Sequence, residues 1–153
     1  GLSNPAALPM QPAGPASTHA DPEAPPHDGT VNLLVGTTRA LDDGTMAELL
    51  STVVEAKAAT LLDAAGVPGT TSDAVAVACD PSGEPVPFCG SGTELGADAR
   101  ACVREAVRAA LAARYPAGGL PDGPDDAEYG TSTERRAEVR RIDGTESQDQ
   151  DEP

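Results

Sequence analysis

Apolar positions along the chain change period several times, and each change marks an element. Val31-Asn32-Leu33-Leu34-Val35 is a short apolar run with a β-branched residue at each end, the pattern of a buried strand. From Met46 the spacing becomes helical: Met46, Leu49, Leu50, Val53, Lys57, Thr60 and Leu61 share one stripe, with Glu48, Thr52 and Glu55 on the other side. Asp42, Asp43 or Thr45 can cap this helix, Thr45-Met46-Ala47-Glu48 has the form of a capping box, and Gly66 with Pro68 stops the helix near Ala65. Asp73-Ala74-Val75-Ala76-Val77-Ala78-Cys79 predicts a second buried strand. Val86-Pro87-Phe88-Cys89 predicts a short edge strand, since proline is kept from sheet centres. Ser91-Gly92-Thr93-Glu94 is a second capping box. It opens a helix that ends before Pro116 and buries Leu95, Ala99, Cys102, Val103, Ala106, Val107, Ala110 and Leu111, with Arg100, Arg104 and Arg108 on its outer face.

This order predicts an α/β (or α+β) fold: a small mixed sheet of about three short strands with two amphipathic helices, flanked by disordered segments. Residues 1–29 read as a Pro/Ala-rich flexible segment, 30–115 as the α/β domain and 116–153 as an acidic disordered tail. A domain of that size holds only a marginal core, so it reads as incomplete. The opening Gly1-Leu2-Ser3-Asn4-Pro5 has no initiator methionine and reads like the interior of a protein.

Charge narrows the partners. The 153 residues carry a net charge of −15, which argues against nucleic acid and against anionic membrane surfaces, both of which need clustered cations. No apolar run is long enough to span a bilayer, and no basic-then-apolar leader is present. Acid excess, arginine in place of lysine and an Ala/Val/Leu core fit a salt-loving source; acidic flanking segments explain the same excess. Cys79, Cys89 and Cys102 match no zinc or redox spacing and read as small buried hydrophobes in a reducing, cytoplasmic setting.

The chemistry-bearing residues gather around the first helix and the turn after it. Lys57 is the sole lysine, and it lies on the apolar stripe. It either snorkels or faces a ligand; as a snorkelling side chain, its replacement by Met would leave stability unchanged or higher. Glu55 is either a carboxylate base or part of a solvated face. Thr70, Thr71 and Ser72 either bind a polar ligand or satisfy the turn's own backbone, and Asp73 either orients a water or caps the preceding turn. The two histidines, His19 and His27, lie in the Pro/Ala-rich segment, a poor place for a catalytic base, and offer no metal set. Gly90-Ser91-Gly92-Thr93 before a helix can present N–H groups to an anion, a weak signal.

Five segments in order resemble the adenosylcobinamide amidohydrolase family of corrinoid salvage, found largely in archaea: Gly1-Leu2-Ser3-Asn4, Gly29-Thr30-Val31-Asn32, Val54-Glu55-Ala56-Lys57, Gly69-Thr70-Thr71-Ser72-Asp73-Ala74 and Gly92-Thr93-Glu94-Leu95-Gly96. Val54 stands where the family usually has threonine. The resemblance implies hydrolysis of the amide that joins the corrin side chain to aminopropanol, giving adenosylcobyric acid and 1-amino-2-propanol. It marks positions, not duties; the chemistry of the reaction makes Glu55 or Asp73 the expected base and Lys57 the oxyanion or amide partner, with Asn4, Asn32, Thr70, Ser72, Gly92 and Thr93 as expected substrate contacts. No protein-bound metal or cofactor is implied, since cobalt arrives with the corrinoid substrate. A missing N-terminal half or a homo-oligomer is the implied partner. The rival expectation is a non-catalytic relative: a ligand-binding or partner-dependent α/β module.

Overall fold

The computed structural model describes residues 1–11 and 29–139. Along the chain the elements are β1 (Pro5–Ala7), β2 (Asn32–Thr37), α1 (Asp43–Ala65), β3 (Gly69–Thr70), β4 (Ala74–Cys79), α2 (Glu94–Arg114) and β5 (Thr131–Ser132), with a 3-10 turn at Pro124–Asp126. The fold is α/β, as the periodicity predicts, but its strands form two small sheets. β2 and β4 run parallel, in register from Asn32 opposite Ala74 to Thr37 opposite Cys79. A separate mixed sheet has the order β3-β1-β5, with β1 antiparallel to β3 and parallel to β5.

The helix boundaries follow from local chemistry. Asp42, in extended conformation, accepts a 2.7 Å hydrogen bond from the Thr45 N–H and caps α1. Gly66 ends it in the left-handed region (φ 67°), where a Cβ would be strained. Thr45 is therefore not the cap, and Glu48 does not close a capping box. Its carboxylate instead accepts the Cys89 N–H at 2.7 Å and pins the loop that leads to α2. Thr93 caps α2, accepting from the Gly96 N–H at 3.0 Å.

Leu49, Val53 and Leu61 of α1 and Val103, Val107 and Leu111 of α2 form the core with Leu2, Val67 and Cys89. Leu33, Val35, Val75 and Val77 pack against it from one face of the β2–β4 pair. Thr52 is buried, not solvated. It shares a helical row with Ala56 and Thr60, the row turned toward α2. Cys102 is exposed, as are Ala106 and Ala110, where a broad helical stripe predicts burial. The sheet beneath that flank is only two strands wide.

Val86–Cys89 forms no strand. Pro85 and Pro87 lack N–H donors, and the contact shrinks to one bridge between Ala40 and Pro85, with the Val86 N–H on the Ala40 carbonyl at 3.2 Å. Both segments expected to be without structure contribute to the fold. Leu2, Asn4 and Pro5 are buried ahead of residues 12–28, which lie outside the described residues. Beyond α2, β5 pairs with β1, Leu120 packs on the core, and Tyr129 N–H donates to the Ser3 carbonyl at 3.1 Å. Between 117 and 139 the tail expected to be disordered thus holds a 3-10 turn and β5, while 140–153 lie outside the described residues. A strand of two residues has no period to read.

Removing residues 116–153 is accordingly expected to lower the thermal midpoint by about 5 °C, roughly 2 kcal/mol for a chain of this length. A midpoint unchanged in differential scanning calorimetry would mean that β5 and Leu120 add nothing. Among the described residues, no helix is long and apolar enough to cross a membrane.

Candidate functional site

At the ends of β2 and β4 where both strands begin, four chain segments meet around one carboxylate. Asp73 immediately precedes β4, and Lys57 reaches it from the inner face of α1. The pair is buried, each side chain 9% exposed. Asp73 Oδ2 accepts from Lys57 Nζ and from the Thr70 N–H at 3.0 Å. Its Oδ1 accepts from the Thr70 hydroxyl and from the Val31 N–H at 2.8 Å. Gly69 allows this close approach, because a Cβ there would lie 2.4 Å from Asp73 Oδ2 and 3.2 Å from Lys57 Nζ.

A second layer fixes the turn. Asn4 Nδ2 donates to Thr71 Oγ1 at 2.7 Å and more weakly to Ser72 Oγ at 3.4 Å, while the Thr71 N–H donates to the Asn4 carbonyl at 3.1 Å. Ser72 Oγ donates to the Gly29 carbonyl at 2.9 Å. The Thr30 hydroxyl lies 2.9 Å from Asn32 Oδ1 and 3.0 Å from the Ser72 carbonyl, and can donate to one at a time. Asn32 Oδ1 also accepts the Ala74 N–H at 3.1 Å. Asn4 is 1% exposed, and its Oδ1 has no hydrogen-bond partner among the described residues. Gly29 packs against that atom, where a Cβ would come within 2.3 Å.

Desolvation by burial pushes the Asp73 carboxyl up. The hydrogen bonds from Lys57, from the Thr70 hydroxyl and N–H and from the Val31 N–H outweigh it, so the group ionises below the ordinary carboxylate range. With both oxygens doubly engaged and its affinity for a proton reduced, Asp73 is a poor general base at neutral pH. What the arrangement does well is hold a cation, Lys57, and a turn bearing hydroxyls in fixed positions. Because the folded value is depressed, the stabilisation from Asp73 ionisation is complete above the unfolded value, near pH 4, and is lost as pH falls through the lower folded value. The stability gap between wild type and Asp73→Asn is therefore expected to be constant above about pH 5 and to narrow on acidification. A gap that widens toward low pH in urea titrations would reverse the sign of the shift.

Of the residues the sequence marks, Asn4, Asn32, Lys57, Thr70, Ser72 and Asp73 come together here. Glu55 does not. It lies on the outer face of α1, its side chain 63% exposed and bonded to Arg100 at 2.7 Å. Gly92 and Thr93 lie at the other end of the strands, beside a cleft of about 640 Å³ lined by Thr37, Thr38, Arg39 and Phe88. The Thr93 hydroxyl is already used, donating to the Gly90 carbonyl and accepting from the Gly96 N–H. Residues missed as single candidates are Thr30 and the Val31 N–H. Both stand in the segment of the marked Asn32, whose Gly29 admits the close approach. Among the described residues there is no group of three or more His, Cys, Asp or Glu side chains placed to hold a metal ion.

Residues 1–118 match the description Adenosylcobinamide amidohydrolase, a span that contains every segment of the cluster. The chain belongs to the adenosylcobinamide amidohydrolase family. It is 58% identical over 141 residues to a Halobacterium salinarum protein named Adenosylcobinamide amidohydrolase. That alignment takes in 92% of this chain and 59% of the relative, so the chain spans less than two thirds of the length of the family member it matches. No solved structure matches it. Within the family frame, segments 1–4, 29–32, 54–57 and 69–74 converge on the Lys57–Asp73 cluster, whereas 92–96 serves the start of α2.

Proposed function

We propose that this chain carries out hydrolysis of the aminopropanol amide of adenosylcobinamide, releasing adenosylcobyric acid and 1-amino-2-propanol. Family membership over residues 1–118 supports the reaction. The convergence of remote segments on and around one buried cation–carboxylate pair supports a site there. In this reading water adds to the amide carbonyl, the carbon–nitrogen bond breaks, and the proton passes to the leaving amine. Lys57 stabilises the charge that develops on the carbonyl oxygen, and Asp73 and Thr70 hold its ammonium in place. Asn32 and Ser72, exposed at the rim, contact the amide and its hydroxylated leaving group. Glu55 and Asp73 are left without the base role, the first by position and the second by saturation. Cobalt belongs to the substrate. The reaction is one of cytoplasmic corrinoid salvage, and it favours an archaeal, salt-adapted source.

The test is incubation of the chain with adenosylcobinamide in molar KCl, followed by chromatography for both products. Ser72→Ala and Asn32→Ala are expected to raise KM several-fold. Lys57→Arg is expected to lower kcat by about 100-fold, because a planar guanidinium does not replace a compact ammonium at a fitted position. Absence of both products, under conditions where the Halobacterium salinarum relative forms them, would overturn the reading and favour a non-catalytic, partner-dependent module.

A further inference from the structure

Among the described residues, the β2–β4 pair is covered on one side only. Leu33, Val35, Val75 and Val77 face the helices, while the alternate residues Leu34, Gly36, Ala74, Ala76 and Ala78 are all exposed, Leu34 by 79%. Parallel strands occur almost entirely in sheets with both faces buried, and their sequences are apolar on both faces for that reason. These two strands have that composition: apart from Asn32 at the rim, the open face carries no polar side chain in a chain of net charge −15. Glycine and alanine at four of its positions make it flat enough for another backbone to come close. The apolar surface continues around the edge of β2 onto Cys102, Ala106 and Ala110 of α2, above cavities of about 280 and 370 Å³.

We infer that this face is a docking surface for the polypeptide that makes up the rest of the relative's length. The alignment leaves about two-fifths of the Halobacterium salinarum protein unmatched, enough chain for a helical layer or a small domain. A parallel pair that is bare on one face is what remains when such a layer is taken away. The occupant lays an apolar helix across Leu34 and the alanines, and reaches the β2 edge beside Cys102. The inference is independent of the proposed reaction, because it concerns assembly and needs no turnover.

The experiment co-expresses the full chain, tagged, with the unmatched part of the Halobacterium salinarum relative as a separate polypeptide. Size-exclusion chromatography with light scattering reads the product. The expected result is a one-to-one complex in which maleimide labelling of Cys102 is slowed at least tenfold. Leu34→Asp and Ala76→Glu are each expected to weaken the complex at least 100-fold while the chain keeps its circular dichroism. Three outcomes overturn the inference: no complex although both polypeptides are soluble and folded; a complex indifferent to both substitutions; or a dimer of the chain alone that Leu34→Asp makes monomeric, which assigns the face to a second copy.

Discussion

Lys57→Met is expected to destabilise the protein by about 3 kcal/mol, seen as a lower urea midpoint at unchanged m-value at pH 7. Sequence alone favours the opposite sign, because a lysine on an apolar stripe reads as a snorkelling side chain whose charge is better removed. The structure closes that route. Lys57 points inward, its ammonium meets Asp73, and both side chains are almost wholly out of solvent. Removing the cation leaves a buried carboxylate without its counter-charge, a change that typically costs 3–5 kcal/mol. Asp73 keeps three donors, the Thr70 N–H and hydroxyl and the Val31 N–H, which places the loss at the lower end. A variant as stable as wild type would mean that the pair is held by its surroundings and contributes nothing net.

The second large effect is expected at Gly96, also about 3 kcal/mol, or a fall of about 10 °C in the midpoint on substitution by alanine. Gly→Ala inside a helix ordinarily stabilises by somewhat less than 1 kcal/mol. Here a Cβ would lie 2.0 Å from the Gly90 carbonyl oxygen and 2.5 Å from that of Cys89, both backbone atoms that can move only with the loop. That loop is itself pinned by Glu48 through the Cys89 N–H. Gly92→Ala is the control. Nothing lies within 4 Å of a Cβ there, and its effect on stability is expected to stay within about 0.5 kcal/mol. Equal melting curves for Gly96→Ala and wild type would mean that the loop yields at no cost.

The long elements were legible because their signals are local. The stop at Gly66 and Pro68 and the alternation through Val75 and Val77 need no knowledge of the rest of the chain. What periodicity misplaced depends on neighbours. Thr52 was assigned to the solvated side because one apolar stripe was drawn, whereas α1 buries two rows, one toward the sheet and one toward α2. Cys102, Ala106 and Ala110 belong to a real stripe, but its outer part has no sheet beneath it. The cluster was half legible. Lys57, Thr70, Ser72 and Asp73 stand out as polar residues at a helix–turn–strand junction, and Asn4 and Asn32 through family-like segments. Spacing alone placed Glu55 and Lys57, two apart, on opposite faces of α1, but it could not reveal that the outer one is taken up by Arg100. It also could not reveal that Asp73 spends both oxygens on donors from three segments.

The sheet β3-β1-β5 has a consequence for the order of folding. Its central strand pairs Pro5 with Thr70 and Ala6 with Thr131, so it closes far longer loops than the β2–α1–β4 unit does. Loop-closure entropy delays such contacts, which places them after the main barrier. Asn4→Ala is therefore expected to speed unfolding several-fold while leaving the refolding rate nearly unchanged in stopped-flow chevrons. A slowed refolding limb would put the chain's two ends in the nucleus. With the ends joining last, the turn that carries Thr71 and Ser72 is the last part of the cluster to be fixed and the first to loosen, well before the helices come apart.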